Sequence, residues 1–131
     1  MNAHSAEYSK VISKYIVMPQ HSNPNGVMFG GVLMGWIDMA AAMVAEKHSG
    51  KDVVTVHVDQ ISFTSPILVG EHVIISAQVS GTGRSSMKIT VEVESENVKT
   101  NTVKKTTTAN LTFVAIDEMK KSCAVPALLE T

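Results

Sequence analysis

Polar and apolar positions alternate through most of the second half of the chain. From Ser86 to Glu94, Met87, Ile89, Val91 and Val93 interleave with Lys88, Thr90, Glu92 and Glu94. From His72 to Ser80, Val73, Ile75, Ala77 and Val79 do the same. A period of two predicts strands with one apolar face. Lys10–Met18, carrying Val11, Ile12, Tyr15, Ile16 and Val17, predicts a first strand, and Thr102–Asp117 a last one in which Ala109, Leu111 and Phe113 point inward. The run VVTVHVDQISF puts Val54, Val56 and Val58 on one side but Ile61 and Phe63 on the other, so a bulge near Asp59 and Gln60 is expected. Turns at Ser65–Glu71, Gly81–Arg84 and Glu96–Asn101 separate these strands. The first nine residues are expected to fray, and Glu118–Thr131 has no readable pattern.

A different pattern fills Pro19–Gly50. A segment rich in turn residues (Pro19, Asn23, Pro24, Asn25, Gly26) passes through Gly30-Gly31 into a long apolar run that ends at Glu46–Gly50, which reads as a loop feeding a helix. On a helical wheel Gly31, Met34, Gly35, Asp38, Ala41, Ala42 and Ala45 share one face. Val32, Leu33, Trp36, Ile37, Met39, Met43 and Val44 form a bulkier side expected to pack the interior. The run approaches the length of a membrane span, but a central Asp38, the glycines and the half-polar strands that follow argue against one. One apolar helix and several strands apolar on one face only predict an α+β domain, an antiparallel sheet of five to six strands covering a central helix.

Asp38 is the only charge between Pro19 and Ala45. A carboxylate in apolar surroundings needs partners or is driven toward its neutral form, and both occur at working sites.

With 131 residues the chain has room for one domain, its core about 10–117 and its tail 118–131. A net charge of −1 gives no overall pull toward nucleic acid or a membrane surface. Cys123 is the single cysteine, which excludes an internal disulfide, and Met1–Lys10 is polar, so a cytoplasmic protein is expected. No spacing among the five histidines suggests a metal site, and none is expected. Among them His48 is read as a cation favourable at a helix C-terminus.

Four blocks in order, HSNPNGVMFGGVLMGWIDMAAAMVA, VDQISFTSPILVGE, GRSSMKITVEV and TANLTFVAID, resemble the hot-dog-fold acyl-CoA thioesterases of the broad-specificity bacterial and cytosolic long-chain type. The likeness spans about Val17–Asp117. It implies a curved sheet wrapped around the helix, a homodimer paired through sheet edges, and further assembly as a trimer of dimers. It also implies hydrolysis of acyl-CoA to free acid and CoA, with CoA as part of the substrate and no separate cofactor. By alignment on Gly30-Gly31, the catalytic pair implied is Asn23 and Asp38, contributed by opposite subunits. Phe29 stands where many relatives carry a histidine.

In chemical terms, Asp38 is expected to act as general base toward water or as the nucleophile itself. Backbone amides of Gly30 and Gly31 at the helix N-terminus would polarise the thioester carbonyl, and Asn23 would orient water or carbonyl through its amide. Gly83, Arg84, Ser85 and Ser86 match the family segment near the CoA phosphates, a composition suited to phosphate. Two other readings are a hot-dog hydroxyacyl-thioester dehydratase, which needs a histidine this pattern does not supply in register, and a non-catalytic acyl-CoA-binding regulator.

Overall fold

The computed structural model describes residues 1–129; the Gln60 side chain and residues 130–131 lie outside the description. Its elements are α1 (Ala6–Ser9), β1 (Val11–Ile16), a short 3-10 turn (Pro19–His21), α2 (Gly30–Ser49), β2 (Asp52–Phe63), β3 (His72–Thr82), β4 (Ser86–Asn97) and β5 (Thr102–Ile116). The five strands form one antiparallel sheet in the order β1-β3-β4-β5-β2, and α2 lies against all five. The hot-dog architecture is therefore present, with five strands.

The alternation in β3 and β4 is realised fully. Val73, Ile75, Ala77 and Val79 on β3, and Met87, Ile89, Val91 and Val93 on β4, are buried, as are Ala109, Leu111, Phe113 and Ala115 on β5. α2 ends on Gly50 at φ 69, whose N–H donates to the Glu46 carbonyl at 2.8 Å, the left-handed stop that glycine adopts without a Cβ penalty.

The faces of α2 differ from the wheel expectation. Its buried stripe is Leu33, Ile37, Ala40, Ala41, Val44, Ala45 and His48. Met39 and Met43 are 55 % and 43 % exposed instead of packed inside. Ala41 and Ala45 belong to the core, while Gly31, Gly35, Asp38 and Ala42 border the open side with the methionines. A helix apolar nearly all round does not declare which stripe its own sheet will cover, and here the sheet covers one side only.

β2 carries two register shifts, one between Asp59 and Ser62 as expected and a second between Thr55 and His57. Directly paired residues share a sheet face. Thr55 pairs with buried Phe113 and Val58 with buried Leu111, whereas Val54 pairs with Val114 and His57 with Thr112. The extra bulge at Val56 therefore turns Thr55 toward the helix and Val54 away, correcting the reading in which Val54, Val56 and Val58 shared one face.

The segment from His4 to Ser9 is tied to the rest of the chain rather than frayed. Ser5 caps α1 by accepting from the Tyr8 N–H at 3.3 Å, and His4 forms a parallel bridge with Leu128. The tail runs back over the sheet end: Val125 N–H donates to the Arg84 carbonyl at 2.8 Å and Leu128 N–H to Thr82 Oγ1 at 3.0 Å. His48 is the peg beneath this closure. It is 1 % exposed, with Nε2 2.8 Å from the Pro126 carbonyl, so the geometry assigns the Nε2–H tautomer. His48→Ala is expected to lower stability by about 2 kcal/mol through the lost bond and the space left behind. Urea denaturation at unchanged m-value checks this.

Candidate active site

The segment before α2 is a compact loop tied at several points. Asn23 N–H donates to the Val27 carbonyl at 2.9 Å, and Asn23 Oδ1 accepts from Asn25 N–H at 2.9 Å and Val27 N–H at 3.2 Å. Both acceptor bonds hold the turn, the usual local use of an asparagine side chain. Its amide nitrogen has no protein partner among the described residues. Phe29 N–H donates to the His21 carbonyl at 2.9 Å and Met28 N–H to the Ile67 carbonyl at 2.7 Å, which fixes where α2 begins.

Among the described residues no side chain caps α2. Leu33 N–H is the first to find a partner, the Phe29 carbonyl at 3.2 Å, so the N–H groups of Gly30 and Gly31 are open donors, as helix geometry requires of a first turn. Both glycines are exposed, and a Cβ at Gly31 would meet nothing within 4 Å. Beside them a cavity of about 50 Å³ is lined by Met28, Phe29, Gly30, Leu33, Phe63, Ser65, Ile67 and Thr107.

Asp38 is half-buried on the open side of α2, and its Oδ1 accepts from Thr55 Oγ1 at 3.0 Å. Its second oxygen has no protein partner among the described residues. Sequence reasoning missed Thr55. The available signal was the one polar position in VVTV, but it points at the helix only because of the bulge at Val56. Eight residues of helix separate Gly30 from Asp38, a rise of about 12 Å. The open amides and the carboxylate of one protomer therefore sit at different levels, and Asn23 and Asp38 share no bond within the chain.

The Gly83–Ser86 hairpin is rigidly placed. Gly83 N–H donates to the Ser86 carbonyl at 2.9 Å, the Ser85 carbonyl accepts from Ala115 N–H at 3.0 Å, and the tail holds the Arg84 carbonyl. The Arg84 residue is exposed, with no carboxylate within 4.0 Å among the described residues. An adjoining recess of about 340 Å³ is lined by Ser80, Thr82, Gly83, Ser86, Lys88 and Thr112. A larger recess, about 810 Å³, lies at the C-terminal end of α2 between Glu46, Lys51, Asp52, Asp117 and Cys123. Among the described residues no three His, Cys, Asp or Glu side chains converge to hold a metal, and no helix is long and apolar enough to cross a membrane.

One long helix wrapped by a five-stranded antiparallel sheet, with a glycine-rich helix start and a carboxylate midway along its uncovered side, defines the hot-dog class of thioester-handling proteins. Residues 25–102 match the Thioesterase superfamily. An uncharacterized acyl-CoA thioester hydrolase of Zymomonas mobilis is 42 % identical over 124 residues, covering 90 % of this chain and 79 % of that protein. The Escherichia coli acyl-CoA thioester hydrolase YciA is 32 % identical over 126 residues, covering 94 % and 96 %. Among solved structures, an apo-hexameric acyl-CoA thioesterase superposes with a TM-score of 0.97 at 36 % identity, covering 100 % of this chain and 84 % of that one. The acyl-CoA hydrolase of Staphylococcus aureus, solved with butyryl coenzyme A, coenzyme A and coenzyme A disulfide, superposes at 0.91 with 38 % identity, covering 95 % and 76 %. Alanine variants of that enzyme at an aspartate, a threonine and an asparagine are also solved, the last with coenzyme A. The chain belongs to the thioesterase superfamily, as a hot-dog acyl-CoA thioester hydrolase of the broad-specificity bacterial type.

Proposed function

We propose that two copies of this chain build the hydrolytic site together, Asp38 of one facing the Asn23 loop and the Gly30 and Gly31 amides of the other. The carrying observation is the Asp38–Thr55 pair on the open side of α2. The aspartate, threonine and asparagine replaced in the S. aureus enzyme are spaced along that chain as Asp38, Thr55 and Asn23 are along this one, which supports assigning the same trio here. The 12 Å rise between the helix start and Asp38, about two turns, speaks for a second copy, since one protomer cannot bring its own carboxylate to a carbonyl held on its own amides.

β2 is an uncovered sheet edge, with Val56, Val58 and Phe63 exposed, and Met39 and Met43 extend that apolar surface along α2. Such an edge invites pairing with another strand. A β2-to-β2 dimer would cover it, and hexameric relatives make a trimer of dimers the assembly to expect.

In the reaction, the thioester carbonyl rests on the Gly30 and Gly31 amides and the Asn23 side-chain N–H. Thr55 holds one Asp38 oxygen, leaving the other to take a proton from water as it attacks the carbonyl carbon. The resulting oxyanion is stabilised where the helix dipole is positive. Collapse breaks the carbon–sulfur bond, and the CoA thiolate leaves and receives the proton. Thiolate is a good leaving group, so no histidine acid is required. The Gly83–Ser86 hairpin, with Arg84, is proposed to receive the CoA phosphates.

Asn23→Asp separates the two jobs of Asn23. It retains the oxygen that holds the turn and replaces the free N–H₂ by an acceptor. We expect kcat to fall about 10²-fold, the scale of losing one oxyanion donor, with thermal stability close to wild type. Wild-type kcat in this variant would remove Asn23 from the carbonyl site.

A further inference from the structure

The loop that carries Asn23 is fastened by His21, and part of that fastening depends on the charge of a ring. His21 bonds through three of its groups. Its N–H donates to the Met18 carbonyl at 2.9 Å, its carbonyl accepts from Phe29 N–H at 2.9 Å, and its Nδ1 accepts from Met18 N–H at 3.0 Å. A backbone N–H can only donate, so the geometry assigns an unprotonated Nδ1 and a proton on Nε2. The reciprocal bonds between Met18 and His21 close the short 3-10 turn as a capping box, whose third position ordinarily holds Glu or Gln. A histidine there differs in one respect. On taking a proton at Nδ1 it changes from acceptor to donor, and the bond from Met18 is lost.

The ring is half-buried and seated between elements. It meets Trp36 of α2 edge-on, with centroids 4.9 Å apart and planes at 79°, and Trp36 stacks on Tyr15 of β1 at 4.5 Å. Asn23 follows two residues on, and Phe29, bonded to the His21 carbonyl, is the N-cap residue directly before Gly30. Apart from His21, no residue from Pro19 to Gly31 is titratable. Among the described residues no carboxylate lies within 4.0 Å of the ring. The nearest titratable side chain on β1 is the Tyr15 phenol, reached through Trp36. On α2, Asp38 stands about 200° round the helix from Trp36. On the turn before β3, the Glu71 carboxylate is taken by Leu68 N–H at 2.8 Å, and His72 faces Glu96 at 3.9 Å.

Resting on the hydrolase reading, we infer that His21 is a positioning residue whose neutral ring holds the Asn23 loop and the start of α2 in working register. Protonation sets a ring N–H against Met18 N–H, donor facing donor, and opens the turn from its first residue. Only the side-chain bond is lost, because the two backbone bonds of His21 do not depend on the ring. The loop then loosens without unfolding, and the Asn23 amide and the Gly30 amide lose their fixed relation to the carbonyl. Small displacements of positioning groups are costly to the chemical step. Turnover therefore falls on acidification by a route separate from protonation of Asp38.

The test measures kcat and KM for butyryl-CoA by thiol release, from about pH 8 to about pH 5, in the wild type, His21→Gln and His21→Ala. Emission from Trp36, the single tryptophan, is followed over the same range. An imidazolium against an indole quenches it more than a neutral imidazole does, so wild-type emission falls on acidification and that of His21→Gln does not. Gln keeps an acceptor for Met18 N–H but does not titrate. The ratio of wild-type kcat to that of His21→Gln cancels the titration of Asp38, which both share. This ratio is expected near one at the alkaline end and to fall about fivefold, the worth of one hydrogen bond, with the midpoint of the emission change and KM unmoved. His21→Ala, with no acceptor, is expected about fivefold below both at the alkaline end. A ratio that stays flat across the range overturns the inference and leaves the hydrolase reading standing. So does wild-type kcat in His21→Ala. Absence of thioester cleavage by the wild type at every pH overturns both. Should a variant fail to fold, the wild type decides alone, since a kcat profile with no step at the emission midpoint overturns the inference.

Discussion

Asp38→Ala is expected to lower kcat by about 10² to 10⁴, the range of losing a positioned general base, while coenzyme A binding, read by calorimetry, stays near wild type. The reasoning is local. Asp38 is half-buried on the uncovered side of α2, and one of its oxygens is already committed to Thr55 at 3.0 Å. Removing it takes no packing from the core stripe of Leu33, Ile37, Ala41 and Val44. The helix, the sheet and the Gly83–Ser86 hairpin therefore have no reason to move. Asp38→Asn is the sharper version, since it can still accept from Thr55 but cannot take a proton from water. Turnover within tenfold of wild type in either variant would place the base elsewhere.

Mixing two crippled proteins is expected to restore activity. If Asp38 of one copy works with Asn23 of another, unfolding and refolding Asp38→Ala together with Asn23→Asp gives dimers of which about half are mixed, each with one intact site and one doubly damaged site. Recovery should then approach a quarter of wild-type turnover, far above either parent. Were both residues used within one protomer, every chain in the mixture would carry a defect and no activity would return. The rise of about 12 Å from Gly30 to Asp38 along α2 motivates the first outcome.

The fold was legible wherever burial is one-sided and complete. β3 and β4 lie inside the sheet, so their inward residues are all buried, and the alternation in the sequence maps onto them without loss. The limits of α2 were legible from the Gly30-Gly31 pair that follows the turn-rich segment and from Gly50, whose left-handed backbone is a local requirement. The edge strand was harder. β2 is paired on one side only, and its two register shifts reverse the side-chain parity twice, so a pattern of valines could not reveal that Thr55 faces the helix. The faces of α2 were misread for a related reason. Ala41 and Ala45 are core while Met39 and Met43 are open, and residue size carries no signal about which stripe the sheet covers. The ordered ends were invisible because His4, His48 and Pro126 meet only through the tertiary fold. Asp38 stood out because a single charge in a long apolar run is costly unless it serves something. Thr55 owes its position to a bulge, which leaves little trace in composition.

The sheet order has a consequence for how the molecule comes into being. β2 follows α2 directly, yet among the described residues its sheet neighbour is β5, so as the chain emerges from the ribosome that strand waits while β3 and β4 are made and zip into a local hairpin. Pairing between segments so far apart in sequence is a slow event in folding. The hydroxyl that steadies Asp38 is thus brought to it only once the final strand has been synthesised, and a truncated product stopping before residue 102 lacks the neighbour that seats β2.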